Sequence, residues 1–524
     1  MTNEDGTLDT VNPPASTRAT AAILTIAGAA IAVGAFLRLF RLDAKGLWLD
    51  EIYTVQQSYT FRSFREWFFD TLIIDAHPPL YKFLMMGWGY LFGYSDLAAR
   101  MPSAIFAVAA VIAFFFVLRW AFNVAVATNG TILLAFSWTA TFYAQEARSY
   151  ALLLLFATLT TGTWLRILTL PDGERASGPF RSLMVLSVIV SYVHLYGFIL
   201  SGYLWAHLVA AALARRDARF IRLSLTGLAI TVLGFAPWLA INIYGMVSSG
   251  SIAMSHISPP GVRFLVDIGA FLYHHPVPAV LLGLGPVLLG LLLGLRRFAA
   301  AIGRRDLCDP LVALVGLIVV PFVALFVFSQ FKPMLQTAYL TPFVPAVLAF
   351  VALVFAEWKW RTDWQRSLVL IVVACVSLVW VLPDFYRVRH KPQTREAVEY
   401  IRANIDENSI VMAPCRVEAL WGCDMNKGQI SARFSRYVHY LNYDQLPQLS
   451  LVPEQFASTE EAASMARRFR NSGIEKVFLI GSRTHLSVLP VAAAELTAAG
   501  YRCEERRFIR SAVFACNLTT PGGG

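Results

Sequence analysis

Two adjacent carboxylates, Asp50 and Glu51, sit in the string LWLDEIYT (47–54), directly after the first long apolar stretch of the chain at about 20–40. A charged side chain costs roughly 2.5 to 3.5 kcal/mol at the centre of a membrane helix, so acids kept at the edge of such a stretch are functional candidates. A positioned carboxylate can take a proton from an alcohol or hold that alcohol in place; the bland alternative is a solvated acidic loop. Further along come Asp75 and HPPLYK (77–82), with His77, Tyr81 and Lys82, and then FYAQEARSY (142–150), with Tyr143, Gln145, Glu146 and Arg148. YVHLYG (192–197) adds His194 and Tyr196, and FKPMLQTAY (331–339) adds Lys332 and Tyr339. Taken singly, Arg148 reads equally as an interfacial side chain, His194 as a satisfied packing residue and Lys332 as an anchor. Asp50, Glu51 and His77 are residue types that a divalent metal would take as ligands, but no tight spacing such as HExxH accompanies them.

The elements that must position these residues are membrane helices. Of 524 residues, 57% are hydrophobic and only 15% charged, mean hydropathy is +0.56, and apolar runs of membrane-spanning length recur. The net charge of +10 lies in short Arg and Lys clusters between those runs rather than along one basic face, which marks topology and excludes a nucleic-acid footprint. Residues 1–19 are polar, with Glu4, Asp5, Asp9 and the Pro13, Pro14 pair, and read as a disordered cytoplasmic tail before a retained first helix.

Helices are expected near 20–40, 98–118, 123–142, 149–169, 180–196, 198–214, 221–241, 278–296, 310–329, 338–356 and 367–384. The apolar stretch 182–214 would be too long for a bilayer as one helix, so a break is placed near Tyr196 and Gly197. Basic residues gather in alternate loops: Arg119; Arg175 and Arg181; Arg215, Arg216, Arg219 and Arg222; Arg296, Arg297, Arg304 and Arg305; Lys359, Arg361 and Arg366. The opposing short loops hold only Arg148, Arg263 and Lys332, and the long first outer loop adds Arg41, Lys45, Arg62, Arg65 and Lys82. This bias puts the N-terminus inside and the C-terminal segment outside, although Arg38, Arg41 and Lys45 at the outer end of the first helix oppose it.

With that orientation, every unusual polar cluster falls on the outer side, including the loop 242–277 with His256, His274 and His275. Within the long first outer loop (41–97), PLYKFLMMGWGYLFGY (79–94) is too short to span. It reads as an interfacial helix, with FRSFREWFF (61–69) as a second, the alternative being a hairpin of the bundle. Beyond 386 the pattern changes to helix and strand at 394–413 and again at 458–481, then a helix at 487–499 and strands around 501–516: a small α/β domain over 387–520, following the membrane domain 20–386. It carries Cys415, Cys423, Cys503 and Cys516, which proximity pairs as Cys415–Cys423 and Cys503–Cys516, reduced thiols being the alternative.

The order of an outer Asp and Glu after the first helix, then HPPLYK (77–82), DLAARMPSAIFAV (96–108) and YAQEARSYAL (143–152) resembles the polyprenyl-phosphate-sugar glycosyltransferases of the GT-C class. That class includes the protein O-mannosyltransferases and the lipid A aminoarabinose transferase (glycosyltransferase family 39). The resemblance covers about 20–385 and is strongest in the first 200 residues. It implies an α-helical GT-C membrane protein of about 11 to 13 spans, ending in a small extracytoplasmic α/β domain and seated in the cytoplasmic (inner) membrane. It also implies transfer of one sugar, with inversion, from a polyprenyl-phosphate donor to lipid A or lipopolysaccharide core, a cell-wall polysaccharide or a protein. On this reading Asp50 is the general base and Glu51 or Asp75 orients the acceptor. The donor is met by His77, Tyr81, Lys82, Tyr143, Gln145, Glu146, Arg148, His194, Tyr196, Lys332 and Tyr339. A phosphate monoester, with its second pKa about 6, leaves without an acid and needs cations instead. One departure concerns the late outer segment, where the family has Arg before Tyr and this chain has Ala338 before Tyr339; Lys332 stands in as the cation. The alternatives are a secondary transporter or lipid flippase, disfavoured by the one-sided polar residues and the lack of an obvious repeat, and a non-catalytic glycan-binding relative.

Overall fold

The computed structural model describes residues 17–59, 64–73, 75, 77–171, 177–248, 258–273, 307–357, 393–415, 449–453, 459–482 and 488–519, with a few isolated positions between them. The expected helices at 278–296 and, for the most part, 367–384 lie outside the described residues, as do His256, His274, His275 and Cys423. Among the described residues seven helices are long and apolar enough to cross a membrane, or eight if one bent pair counts as a span.

The bundle runs through α1 (Thr17–Leu39), α5 (Asp96–Ala121), the bent pair α6 (Val124–Ala135) and α7 (Trp138–Ala144), α8 (Tyr150–Thr169), α9 (Ser177–Val193), α10 (Leu195–Arg215) and α11 (Ala218–Ser248). Between α1 and α5 lie α2 (Leu49–Tyr59), the single turn α3 (Phe64–Trp67) and α4 (Leu80–Phe92). After α11 come α12 (Arg263–Tyr273), α13 (Pro310–Phe331) and α14 (Val344–Glu357), the last entered through a 3-10 turn at Thr337–Phe343. Helix α12 occupies part of the expected loop 242–277.

The expected helix 123–142 is two pieces at 57° to each other. Ser137 caps the second, its hydroxyl accepting from the Ala140 amide at 3.4 Å. The freed carbonyls at the end of the first, Leu134 and Ala135, accept from the Arg38 guanidinium at 2.8 Å each. A helix C-terminus carries unpaired carbonyls and partial negative charge, so a cation there is favourable even where it is fully buried. Arg38 is thus a packing residue of α1 and does not report on loop charge.

The break between α9 and α10 falls at His194, two residues before the expected Tyr196. His194 caps α10, with Nδ1 accepting from the Tyr196 amide at 3.2 Å. Only glycine fits at 197, because a Cβ there would lie 2.2 Å from the Val190 carbonyl oxygen.

Helix α4 has 13 residues, short of the roughly 20 a span needs. It exposes Phe83, Tyr90, Leu91 and Phe92 and buries Tyr81, Lys82 and Met85, a pattern suited to lying at an apolar boundary. Next to it, α3 continues as one wide turn (Phe68–Leu72), anchored where the Trp67 indole donates to the Gln57 carbonyl at 2.7 Å.

The C-terminal residues form a five-stranded sheet from β1 (Ser409–Cys415), β2 (Leu449–Pro453), β3 (Lys476–Ser482), β4 (Tyr501–Phe508) and β5 (Ser511–Leu518), in the order β2-β1-β3-β5-β4. β1 is parallel to β2 and β3, whereas β5 is antiparallel to both β3 and β4. Helices α15 (Thr394–Asn404), α16 (Thr459–Asn471) and α17 (Leu489–Ala498) alternate with the strands as expected. Gly473 and Gly500, at φ of 73° and 98°, end the second and third of these helices. Cys503 and Cys516 are disulfide-bonded, the second of the two expected pairs.

Candidate active site

The carboxylate string is the first turn of α2, where the partial positive charge of a helix N-terminus favours acids. Glu51 reaches back to accept the Trp48 amide at 3.2 Å, the acidic half of a capping box. Its two oxygens also pair with Arg100 of α5 at 2.7 and 2.8 Å and accept the Ala147 amide at 2.9 Å. Both side chains are buried, Glu51 at 0% and Arg100 at 1% exposure. Arg100 spends its remaining donors on the carbonyls of Leu42 (2.8 Å), Lys45 (2.5 Å) and Gly46 (2.9 Å). Glu51 therefore has no lone pair free to orient an acceptor; it ties α2, α5 and the turn after α7 together. Asp50, one residue earlier and so about 100° around α2 from Glu51, stays half-exposed.

The QEAR string is the turn between α7 and α8, and its members divide the work. Gln145 donates to the carbonyls of Phe40 (2.8 Å) and Leu37 (3.3 Å), strapping the end of α1. Glu146 is buried beside it. The Ala147 amide meets Glu51, and the half-buried Arg148 extends to the Asp50 carbonyl and the Thr54 hydroxyl, both at 3.3 Å. Its guanidinium also lies 5.8 Å from the Tyr150 ring centre. Thr54 shares the Asp50 face of α2 one turn on, its hydroxyl donating to the Asp50 carbonyl at 2.9 Å.

The Asp75–Lys82 segment closes the other side. Asp75 accepts from the His77 amide and meets its Nδ1, each at 2.9 Å, and pairs with the Lys82 ammonium at 2.5 Å. The Asp75 carbonyl accepts from the Asn242 amide side chain of α11 at 2.7 Å. Burial alone would raise the Asp75 carboxyl, but the charges of Lys82 and His77 outweigh it and hold the carboxyl well below the usual range. Burial lowers the Lys82 ammonium, and Asp75 offsets part of that. Tyr81 is held through Ser103, whose hydroxyl lies 2.8 Å from the phenol and 3.2 Å from the Arg148 carbonyl.

These segments enclose a pocket of about 310 Å3, open mouth included, lined by Thr54, Gln57, Asp75, His77, Pro78, Tyr81, Lys82, Arg148 and Ser149. Two cations face it from different chain segments. Behind them stands an aromatic cluster: the His194 ring lies 5.5 Å from His77, 6.0 Å from Tyr150, 5.7 Å from Tyr196 and 5.1 Å from Tyr339, and Tyr143 lies 4.5 Å from Tyr150. Because Nδ1 of His194 accepts the cap hydrogen bond, its proton sits on Nε2, a buried donor with no hydrogen-bond partner among the described residues. Burial, then the charges of His77 and Arg148, keep this imidazole neutral.

Of the residues expected in the site, Asp75, His77, Tyr81, Lys82 and Arg148 line the pocket. Asp50 flanks it, and Tyr143, His194, Tyr196 and Tyr339 form the wall behind. Gln145 faces α1. Lys332 is exposed at the C-terminal end of α13 and takes no part in the pocket lining. The triplet Asp50, Glu51 and His77 does not gather as a metal centre: Glu51 is spent on Arg100, and among the described residues no group of three or more His, Cys, Asp or Glu side chains is placed to hold an ion. Sequence reasoning missed Arg100, Thr54, Ser103 and Asn242. Arg100 was findable, since a charge one turn into an apolar helix must have a buried partner.

The fold as a whole is similar to two crystal structures of ArnT from Cupriavidus metallidurans. The apo form has a TM-score of 0.57 at 13% identity, over 95% of this chain and 98% of that one. The form bound to undecaprenyl phosphate has a TM-score of 0.55 at 13% identity over the same shares. This is the GT-C fold. An oligosaccharyltransferase from Archaeoglobus fulgidus, tethered to an acceptor peptide, is more distant, with a TM-score of 0.48 at 12% identity over 92% of this chain and 72% of that one. No protein-family model and no curated protein matches the sequence. In this GT-C frame the pocket sits where α2, the α4 entry and the α7–α8 turn converge.

Proposed function

We propose that this chain is a membrane glycosyltransferase. It moves a sugar from a polyprenyl-phosphate donor to a hydroxyl of an envelope lipid, glycan or protein, on the outer face of the cytoplasmic membrane. The observation that carries the reading is the pairing of two pocket cations, Lys82 and Arg148, with a half-exposed carboxylate, Asp50, one helical turn from the pocket residue Thr54. The undecaprenyl phosphate bound by ArnT is a ligand of the kind these cations suit.

Asp50 takes the proton of the acceptor hydroxyl as its oxygen attacks the anomeric carbon. The bond from that carbon to the phosphate oxygen breaks, and its electron pair stays with the phosphate, whose charge Lys82 and Arg148 neutralise. A single displacement inverts the anomeric centre. Asp75 is held ionised by Lys82 and His77, which makes it a weak base and a keeper of the Lys82 position. The aromatic cluster and the unpartnered Nε2–H of His194 provide stacking faces and a neutral donor for the sugar. Residues 20–386 form the transferase domain and 387–520 the outer α/β domain, whose Cys503–Cys516 disulfide suits an oxidising compartment.

Asp50→Asn keeps the shape and removes the base. Turnover with a polyprenyl-phosphate sugar should fall by about a hundredfold or more, while undecaprenyl phosphate binding stays unchanged. Retained turnover would transfer the base role elsewhere, and failure of the wild-type protein to bind undecaprenyl phosphate would sink the transferase reading.

A further inference from the structure

The loop that delivers Asp50 is gripped from two sides, and only one grip belongs to the membrane bundle. Arg41 takes a left-handed conformation (φ 56°) that turns the chain out of α1. Three carbonyls of the following loop then point inward to Arg100. The fourth, Asp43, points outward and accepts from Arg395 at 3.3 Å. The second terminal nitrogen of Arg395 is ion-paired with Asp96, and Asp96 lies four residues before Arg100 on α5, so one helix face presents both groups.

Arg395 lies in the first turn of α15, where a cation gains nothing from the helix dipole; its gain comes from Asp96 and the loop carbonyl. The start of α15 is itself fixed, with Gln393 exchanging two hydrogen bonds of 2.9 Å with Ile509 in the β4–β5 turn. Contact between the α/β unit and the site is also apolar. A single buried cluster runs from Leu47, Ile52 and Val55 around α2 to Val398 and Ile401 of α15 and Ile480 of β3.

We infer that Arg395 is a positioning residue for the transfer reaction: by holding Asp43 and Asp96 it clamps the loop before α2, so the α/β unit sets the placement of Asp50. This inference rests on the transferase reading above. It makes the α/β unit part of the catalytic assembly, with a role separate from any acceptor it recognises.

The test uses the full-length protein in lipid nanodiscs, as wild type, Arg395→Gln, Arg395→Lys and the charge exchange Asp96→Arg with Arg395→Asp. Hydrogen exchange in the 42–52 segment should quicken roughly three- to tenfold in Arg395→Gln, as expected for a lost half-exposed ion pair and hydrogen bond. Exchange in β1 and β3 should be unchanged. Turnover should drop with little change in donor KM or in undecaprenyl phosphate binding, because Lys82 and Arg148 are untouched. Arg395→Lys and the charge exchange should each restore part of the loss. Wild-type exchange and turnover in Arg395→Gln would overturn the inference. So would loosening of the sheet together with the loop, since that marks a fold-wide role. If the wild-type protein binds no undecaprenyl phosphate, the transferase reading fails, and the exchange arm still decides whether Arg395 clamps the loop.

Discussion

Glu51→Gln separates a residue that builds the site from one that acts in it. The Glu51–Arg100 pair is buried at 0% and 1% exposure with two short contacts. Removing one charge of such a pair costs about 3 to 5 kcal/mol, mainly because the other is left uncompensated. Here Arg100 keeps three carbonyl acceptors, which favours the low end, about 3 kcal/mol. The glutamine must also accept the Trp48 and Ala147 amides through one oxygen, where the carboxylate used two. At 1.4 kcal/mol per factor of ten, about 3 kcal/mol corresponds to roughly a hundredfold faster opening of the 42–52 loop. Native-state hydrogen exchange at the Trp48 and Ala147 amides reads this directly, with thermal unfolding in detergent as a second measure. Turnover should fall alongside stability, in contrast to Asp50→Asn, which should lose turnover alone. Slow exchange at both amides together with lost turnover would show that Glu51 does chemistry, and would refute the assignment of a positioning role.

The pocket cations carry a pH signature. Lys82 has its ammonium lowered by burial, so as pH rises the pocket loses that charge before a free lysine would lose its own; Lys82→Arg, charged throughout, should extend undecaprenyl phosphate binding to higher pH. Coincident alkaline limbs for the two proteins would remove Lys82 from the phosphate site. Gly197→Val should disrupt the break between α9 and α10 and lower yield and melting temperature, because even a Cβ meets the Val190 carbonyl at 2.2 Å; wild-type behaviour would mean that the break is not required. Reporter fusions at Arg216 and Gly524 should report opposite compartments, and a cytoplasmic signal from both would undo the orientation.

The membrane class, most of the helix positions among the described residues and the α/β alternation of the last 130 or so residues follow from local pattern, since apolar length and period act within one segment; the bend inside 123–142 does not. The roles within the charged strings do not. Asp50 and Glu51 are neighbours of the same chemistry, yet a 100° step around α2 turns Glu51 into the buried lock and leaves Asp50 half-exposed beside the pocket residues Thr54 and Arg148. Gln145 and Arg148 share one string, but the turn between α7 and α8 sends one to α1 and the other to the pocket. Lys332 looked like the cation to complete the site, and its helix end leaves it exposed. Composition and spacing fix which groups are available near a membrane surface. Which of them meet, which are neutralised by a distant partner such as Arg100, and which are clamped by Arg395 almost 300 positions away depend on contacts between segments remote in sequence, and those form only when the bundle and the sheet pack together.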